Sequence, residues 1–494
     1  MFLGAPNTDR CAVQQKSRRV ARGAVTPHGA IRNKFAAFAY SLLVHISAIA
    51  VSAAKSGSLA SLGMTIIYGR QMREWLVADG LGGYAMGAAD GIRRRRYHAF
   101  LIVAAPQDER RFALVNDIEL WIDAPDGPVA LSSHRYAPNV VHPDGATRLV
   151  GFEAEPWPTW RFDIGDGITV MQELFAPRTT GRAAMVLQWR LIGGSASASP
   201  MRLRARPMMS GRDFHSLHHE NPDFHFEPEH AGAESWLWTP YRGVSPILLH
   251  ANGSYRHEPL WFRNFFYSEE KARGLDFVED LASPGELSWS LGGTEKRDAV
   301  LMLTVPEEWG GYETAGNVLA ECQALANSER ARVGAFKSRL QHSADAYLVR
   351  RGRRDTIIAG YPWFTDWGRD TFIALRGLCL EGGRLDEAER VLVSWCDAVA
   401  DGMMPNAYPA HGTEPRYNSV DASLWFVITA QAFLDASVRR GRWLTPAVPK
   451  RLTDAPTRFS TRTPAAPATG FGWTPMVSWR PVSLGWHSPG WTRS

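Results

Sequence analysis

The spacing of apolar residues changes along this chain of 494 residues, and the change divides it into two kinds of structure. From Met64 to about Val305, short apolar runs are separated by Gly, Pro, Asp and Asn, which predicts an antiparallel β-sandwich. From about Glu313, apolar residues recur every three or four positions, which predicts helices. The predicted helices cover 317–349, 369–383, 385–402 and 421–437. Helical hairpins joined by loops that carry motifs are typical of an α/α barrel, and so few helices predict an incomplete one.

The two ends of the chain differ from its centre in charge. Residues 1–63 hold eight Lys/Arg and a single acid, Asp9, and residues 438–494 hold nine Lys/Arg and only Asp454. Because the formal net charge of the whole chain is only +5, the centre is net acidic. The calculated pI of about 9.0 therefore does not indicate a basic face for binding nucleic acid.

The first 63 residues have three interpretations. Residues 35–54 form a weakly apolar run behind a basic stretch, which is the outline of a signal peptide or a membrane anchor. His45 and three serines inside that run argue against both. Since the charge pattern changes at Met64, we favour a start of translation there, which makes residues 1–63 a basic extension.

The helical period is lost after Ser437. The stretch from Arg442 to the end holds eight prolines and five tryptophans, and large aromatic residues are unusual in disordered tails. We predict a basic extension, a sandwich, a partial α/α barrel and an irregular tail, which cover 1–63, 64–305, 306–437 and 438–494.

The four cysteines are widely spaced in the sequence. Cys11, Cys322, Cys379 and Cys396 form neither a CxxC pair nor the spacing of a zinc site. This pattern predicts no disulfide framework and no metal site, and it favours the reducing cytoplasm. We also predict no cofactor.

The segment PWFTDWGRDT combines aromatic rings with charge at the start of a predicted helix. Trp363 and Trp367 precede Arg369 and Asp370. A sugar ring needs an aromatic surface and charged groups that bind its hydroxyls, and these residue types supply both. The helix dipole is expected to lower the pKa of a carboxyl in the first turn. An N-cap with a local salt bridge is an equally good interpretation of this segment alone.

A second segment, GTEPRYNSVDASLW, places Glu414, Asn418 and Asp421 before the next predicted helix. Asp421 could cap that helix, orient Arg369 or contact a sugar hydroxyl. Glycoside hydrolysis needs two carboxylates on either side of the scissile bond, one of them an acid with a raised pKa. Because Asp370 and Asp421 both lie at helix starts, we do not expect them to be that pair.

Several long motifs resemble the bacterial glycogen debranching enzyme family of the amylo-α-1,6-glucosidase type. Those of the first half are REWLVADGLGGYAMG, RRRYHAFLIVAAP and RPMMSGRDFHSLHHEN, and those of the second are AGYPWFTDWGRDTFIALRGL and GMMPNAYPAHGTEPRYNSVDASLWF. They follow the family's order between about Arg73 and Ser437. The resemblance implies a β-sandwich followed by a six-hairpin α/α barrel, a glucoamylase-like toroid. It also implies inverting hydrolysis of α-1,6-linked branch glucose in glycogen or a limit dextrin.

The resemblance implies roles for some residues and leaves others without a counterpart. WGRD is similar to the motif that holds the non-reducing glucose through Arg369 and Asp370, with Trp367 as an apolar wall. The family's general acid lies in a later TWMDA-like motif and its general base in a Glu nearer the C-terminus, and neither motif is found here. The catalytic residues are therefore unknown. The predicted substrate-binding residues are Trp363, Trp367, Arg369, Asp370, Glu414, Asn418 and Asp421.

The tail suggests a change of reading frame. Residues 472–478 and 487–493, with each codon shifted by two bases, permit a DGL and a TWMDA motif at the family's spacing. We therefore predict a frameshift shortly after Ser437 and a truncated, inactive debranching α-1,6-glucosidase. Two alternatives stay open: a non-catalytic glucan-binding protein, and a related α/α-barrel phosphorylase acting on a disaccharide.

Overall fold

The structure is a computed structural model, and it describes residues 73–106, 110–193, 200–292, 298–314, 316–352, 354–400, 403–407, 416–419, 421–457 and 459. The predictions about the basic extension 1–63 and its apolar run 35–54 lie outside the described residues, as do Glu414 and the proposed change of reading frame at 472–493.

The described chain begins with eighteen strands. They are β1 Glu74–Ala78, β2 Tyr84–Ala88, β3 Ala99–Ala104, β4 Arg111–Ala124, β5 Gly127–Ala130, β6 His134–Tyr136, β7 Val140–His142, β8 Leu149–Glu153, β9 Thr159–Gly165, β10 Ile168–Phe175, β11 Ala184–Ile192, β12 Met201–Asp213, β13 Glu229–Gly232, β14 Ser235–Trp238, β15 Ile247–Ala251, β16 Ser254–Phe266, β17 Val278–Leu291 and β18 Ala299–Thr304. Short 3₁₀ turns lie at Gly145–Arg148, Arg178–Thr180 and Glu307–Trp309.

These strands form two antiparallel sheets. The 10-stranded sheet has the order β1-β2-β3-β4-β12-β17-β16-β6-β7, with β5 beside β4. The 8-stranded sheet has the order β13-β14-β15-β18-β11-β10-β9-β8. The prediction of antiparallel β-structure up to about Val305 is confirmed over the described residues.

A shared apolar core joins the two sheets. Alternate residues of β11 and β17 point into it, including Leu187 and Leu287, which are fully buried. The rings of Trp189 on β11 and Trp289 on β17 lie 5.6 Å apart across the core. Replacing one of these buried indoles by alanine is expected to destabilise the fold by about 3–5 kcal/mol.

The second part of the chain is mainly helical in the described residues. Its helices, numbered together with one short helix between β16 and β17, are α1 Ser268–Ala272, α2 Val318–Gly334, α3 Arg339–Asp345, α4 Gly368–Leu375, α5 Leu385–Cys396, α6 Asp421–Arg439 and α7 Ala447–Thr457. A π-helical turn, Arg376–Glu381, continues α4. A third antiparallel sheet contains β19 Leu348–Arg351, β20 Arg354–Gly360 and β21 Phe364–Asp366.

The predicted helix at 317–349 is two helices and part of a strand. The Asn317 side chain caps α2, which ends at Gly334, and the Ser338 side chain caps α3 by accepting a hydrogen bond from the amide of Gln341. The apolar face of α2 packs on the outer surface of the 8-stranded sheet rather than on the other helices. The prediction is wrong from residue 346 onward, because α3 ends at Asp345 and β19 begins at Leu348. A strand of 4 residues is too short for its apolar spacing to be distinguished from that of a helix.

Helices α4 to α7 share a second apolar core with the β19–β20 strands. Phe372 of α4 contacts Trp395 of α5 and Phe426 of α6, with ring centroids 5.3 Å and 5.2 Å apart. All three side chains are buried, and β20 lies against α4 and α5. The predicted helices at 369–383, 385–402 and 421–437 are confirmed in position, although α5 ends earlier, at Cys396.

The segment predicted as an irregular tail from residue 438 contains a packed helix. In α7, Val448, Leu452 and Ala455 are buried in the second core and follow helical spacing. Pro449 and Pro456 obscured that spacing in the sequence. The prediction of irregular structure is therefore wrong for Ala447–Thr457. No helix in the described ranges combines the length and the apolar run needed to cross a membrane.

Candidate functional site

A tight hairpin carries the first motif to the start of α4. In β20 and β21, Ile358 pairs with Asp366 and Gly360 pairs with Phe364. Trp367 follows directly and occupies the N-cap position of α4 in an extended conformation. The side chains that begin α4 therefore project from a point fixed by a sheet rather than from a long loop.

Asp366 anchors this hairpin inside the protein. Its carboxylate is fully buried and accepts a hydrogen bond from Nη1 of Arg351 at 2.8 Å. Burial by itself would raise the pKa of Asp366, but the charges of Arg351 and Arg354 outweigh it and hold that pKa below its usual value. Asp366 is thus an ionised structural residue, which the sequence did not single out.

The second motif runs alongside the first. Trp367 forms an antiparallel bridge with Ala407, and Ala407 forms another with Arg416. The amide of Gly368 donates to the carbonyl of Asn406 at 2.8 Å, and the amide of Arg416 donates to the carbonyl of Ala407 at 3.0 Å. The structure thus brings the two predicted motifs together through 403–407.

Gly368 permits this close approach. A Cβ atom there would clash with the carbonyl oxygen of Pro405 and would lie 3.1 Å from the ring of Trp395. Any larger residue must push the start of α4 away from the second motif.

Asn406 connects the predicted residues Arg369 and Asn418. Its Oδ1 accepts a hydrogen bond from the backbone amide of Arg369 at 3.3 Å, and its Nδ2 donates to Oδ1 of Asn418 at 3.0 Å. Only 4% of Asn406 is exposed. A buried amide requires partners, so an asparagine between apolar residues and next to a motif is the signal that could have identified it.

Arg369 and Asp370 are half-buried, and part of each side chain remains exposed. Their side chains are 32% and 19% exposed, and Nη2 of Arg369 is 3.8 Å from Oδ2 of Asp370. In the described part of the chain, the Arg369 guanidinium pairs with Asp370 and donates no hydrogen bond. Its N–H donors are therefore available to a ligand that enters beside α4.

The carboxyl of Asp370 is affected by the charge of Asp421. Both lie in the first turn of a helix, as predicted. Burial raises the pKa of Asp370, the charge of Asp421 raises it further, and Arg369 partly opposes them. The expectation that the helix dipole would lower this pKa is wrong, because removal of water from the carboxyl outweighs the dipole. Asp421 is also fixed by Ser419, whose hydroxyl donates to its carboxylate.

Trp363 lies on the other side of the hairpin, against the sandwich. Its ring centroid is 6.4 Å from that of Tyr97. The guanidinium carbons of Arg95 and Arg273 lie 5.6 Å and 4.9 Å from its centroid. The structure thus groups Trp367, Arg369, Asp370, Asn418 and Asp421 and places Trp363 at the junction with the sandwich.

Comparison with known families matches each part of this fold. A family described as "Glycogen debranching enzyme N terminal" matches residues 73–297, and one described as "Amylo-alpha-1,6-glucosidase" matches residues 342–445. The sheets match the N-terminal model and the helices match the second model, in the order in which they occur along the chain. The chain belongs to the glycogen debranching enzyme family.

Two individual proteins are similar to parts of the chain. The glycogen debranching enzyme of Saccharomyces cerevisiae is 38% identical over 84 residues, which are 16% of this chain and 5% of that protein. The chain thus matches only a small part of that relative's length. A bacterial glucoamylase solved with acarbose has a TM-score of 0.38 and 12% identity, over 77% of this chain and 58% of that one. A TM-score of this size does not establish a shared fold.

Proposed function

We propose that the chain binds the non-reducing glucose of an α-1,6 branch in glycogen or a limit dextrin, as part of an amylo-α-1,6-glucosidase. The observation that carries this proposal is the link through Asn406, which joins the WGRD segment to the Asn418–Asp421 segment. A site built from both segments presents donors, acceptors and an aromatic ring in one place, and a glucose ring needs all of them.

Each residue of the site has a proposed part in holding the sugar. Arg369 donates to hydroxyls, and Asp370 accepts from them. Trp367, which is half-buried, offers its indole as the apolar wall. Asn418 and Asp421 contact the sugar from the second segment.

Two predicted residues stand apart from this group. We assign Trp363 to the support of the hairpin from the sandwich side, because its ring lies against Arg95 and Arg273. Glu414 stays a prediction from the sequence.

The helices fit the proposal of a six-hairpin α/α barrel, incomplete in this chain. Helices α4 to α7 pack side by side around one core. On α6, Leu424 and Ile428 lie one turn apart and are 54% and 47% exposed, as expected of a helix that packs against a further one. The proposed domains 64–305 and 306–437 are supported by the two family matches.

The cytoplasmic location is also a proposal. Cys322, Cys379 and Cys396 are buried thiols in the described part of the chain rather than disulfide partners. Disulfides are rare in the reducing cytoplasm, so this arrangement supports the assignment.

The proposal is tested with the full chain in two assays. Isothermal titration with maltotetraose reports binding, and glucose release from a limit dextrin reports hydrolysis. Binding without release supports a glucan-binding site and the predicted inactivity. Glucose release would show that the chain is itself an active hydrolase. Cleavage only in the presence of phosphate would favour the phosphorylase alternative, and absence of binding to the wild-type chain would refute the proposal.

A further inference from the structure

A buried arginine of the sandwich reaches the hairpin that leads into α4. Arg111 begins β4, and only 1% of it is exposed. Its Nε donates to the carbonyl of Gly82 within the sandwich at 2.8 Å. Its Nη1 donates to the carbonyls of Phe364 and Pro362 in the hairpin, at 3.1 Å and 3.5 Å. One guanidinium therefore connects the first sheet with the backbone that leads into α4.

Aromatic rings surround this guanidinium. The Arg111 Cζ lies 5.3 Å from the ring centroid of Tyr361, 5.4 Å from that of Phe214 and 5.6 Å from that of Tyr84. Burial lowers the pKa of Arg111, but arginine stays protonated in proteins. The rings stabilise the buried charge and hold its plane, so the two hydrogen bonds to the hairpin have a fixed direction.

The hairpin that Arg111 holds is coupled to the site over a short distance. Phe364 lies within β21, which ends at Asp366, and Trp367 and Arg369 follow at once. Asp366 is held by its hydrogen bond from Arg351. A displacement of the β21 backbone is therefore passed on to the start of α4, because the short stretch between them cannot absorb it. A shift of this backbone therefore moves the side chains proposed to hold the sugar.

We propose that Arg111 of the sandwich is a positioning residue for the sugar-holding site, acting through its hydrogen bonds to the carbonyls of Pro362 and Phe364. The inference rests on the proposed function for its effect on sugar binding. Its structural part, that Arg111 sets the conformation of the hairpin, stands independently. The sandwich then helps to position the proposed sugar-holding residues, although it does not itself contact the sugar.

Arg178 provides a matched control. It also extends from the sandwich, and its Nη1 and Nη2 donate to the carbonyls of Asp345 and Leu348, both at 2.9 Å. It also forms an ion pair with the Asp345 carboxylate at 3.0 Å. Arg178 thus makes backbone contacts of the same kind across the same junction, but to a segment that holds no proposed site residue. A general loosening of the junction would follow from loss of either arginine, whereas loss of site geometry follows only from loss of Arg111.

The test compares the full-length wild type with R111K, R111M and R178M by hydrogen–deuterium exchange and by titration with maltotetraose. In R111M, we expect exchange across 361–371 to rise by about tenfold and the Kd for maltotetraose to rise by about tenfold, as for loss of hydrogen bonds from a charged group. R111K, which keeps a donor, should lie between R111M and the wild type. R178M should exchange faster only near 345–348 and should bind as the wild type does.

Unchanged exchange across 361–371 in R111M would overturn the proposal, and so would an equal loss of binding in R178M. If R111M does not fold, R111K carries the same comparison, and its exchange at 361–371 decides. If the wild type binds no maltotetraose, the proposed function fails, while the exchange data still decide whether Arg111 holds the hairpin.

Discussion

The side chain of Asn406 accepts a hydrogen bond from the backbone amide of Arg369 at 3.3 Å, and this contact unites two segments that are far apart in the sequence. The same side chain donates to Asn418, so neither segment can move without affecting the other. In this account the sugar-holding group is defined by these contacts as much as by the charged residues that face the ligand.

Replacing Asn406 by alanine should weaken maltotetraose binding by about tenfold. The change removes both hydrogen bonds, one of them to the backbone amide of the half-buried Arg369, and bonds of this kind contribute about 0.5–1.5 kcal/mol each. Isothermal titration measures the effect. Asn139, an exposed asparagine that accepts from Arg135, supplies the control N139A, which should bind as the wild type does. Wild-type affinity in N406A would argue against the role of this link.

Replacing Asp370 by asparagine should stabilise the protein near neutral pH and weaken sugar binding. Because the folded-state pKa of Asp370 is raised, its protonated form favours folding, and that contribution is lost as pH rises through the folded pKa. The wild type should therefore gain relative to D370N as pH falls from neutral towards the ordinary aspartate pKa of about 3.9. Urea unfolding across this pH range measures the difference in the free energy of unfolding between the two proteins. A difference that does not change with pH would contradict a raised folded-state pKa for Asp370.

The buried pair of Arg351 and Asp366 should be essential for stability. R351M leaves a buried carboxylate without its main partner, so the free energy of unfolding should fall by about 3–5 kcal/mol. Arg350, the preceding residue, pairs with Asp355 at 3.4 Å while 66% exposed, and R350M should change stability by less than about 1 kcal/mol. Urea unfolding compares the two variants. Equal losses in the free energy of unfolding would show that the buried pair contributes no more to stability than the exposed one.

The Asp366 pair also predicts a pH dependence. Its folded-state pKa is lowered, so the stability that it contributes is present above the unfolded value of about 3.9 and is lost as pH falls through the folded value. Acid titration monitored by circular dichroism should show D366N to be less sensitive than the wild type below about pH 4. Identical acid transitions would contradict this role.

Helix α7 should contribute to the stability of the helical core. Leu452 is only 2% exposed, and L452A should lower the free energy of unfolding by about 2–5 kcal/mol. The neighbouring Thr453 is exposed, and T453A should have an effect of less than about 1 kcal/mol. Thermal unfolding separates the two, and a neutral L452A would show that α7 does not pack as described.

Much of the fold could be predicted from periodicity, and the parts that could not have local reasons. The two sheets and the helices α4 to α6 bury continuous faces, so their apolar spacing is strong. The small sheet β19–β21 was missed because its strands are short and its residues lie within a motif. In α7 the prolines obscured a period that packing against α5 and α6 nonetheless enforces.

The sequence indicates the residue types of the candidate site but not the contacts between them. Arg369, Asp370 and Asp421 are candidates because charge beside aromatic rings at a helix start is visible in the sequence. Asn406 and Arg111 were missed because their partners are distant in the chain. The predicted direction of the Asp370 pKa shift was wrong, because the shift is caused mainly by burial. Burial depends on the packing around the carboxyl and not on its position in α4.

Titration of the wild-type chain and of R369M with maltotetraose tests whether the group around Arg369 holds the sugar. We expect saturable binding by the wild type with one site per chain, and a loss of about tenfold or more in R369M, because the variant removes the charged donors from the group that Asn406 assembles. Equal binding by both proteins, or no binding by the wild type, would contradict the assignment of this group as the sugar-holding site.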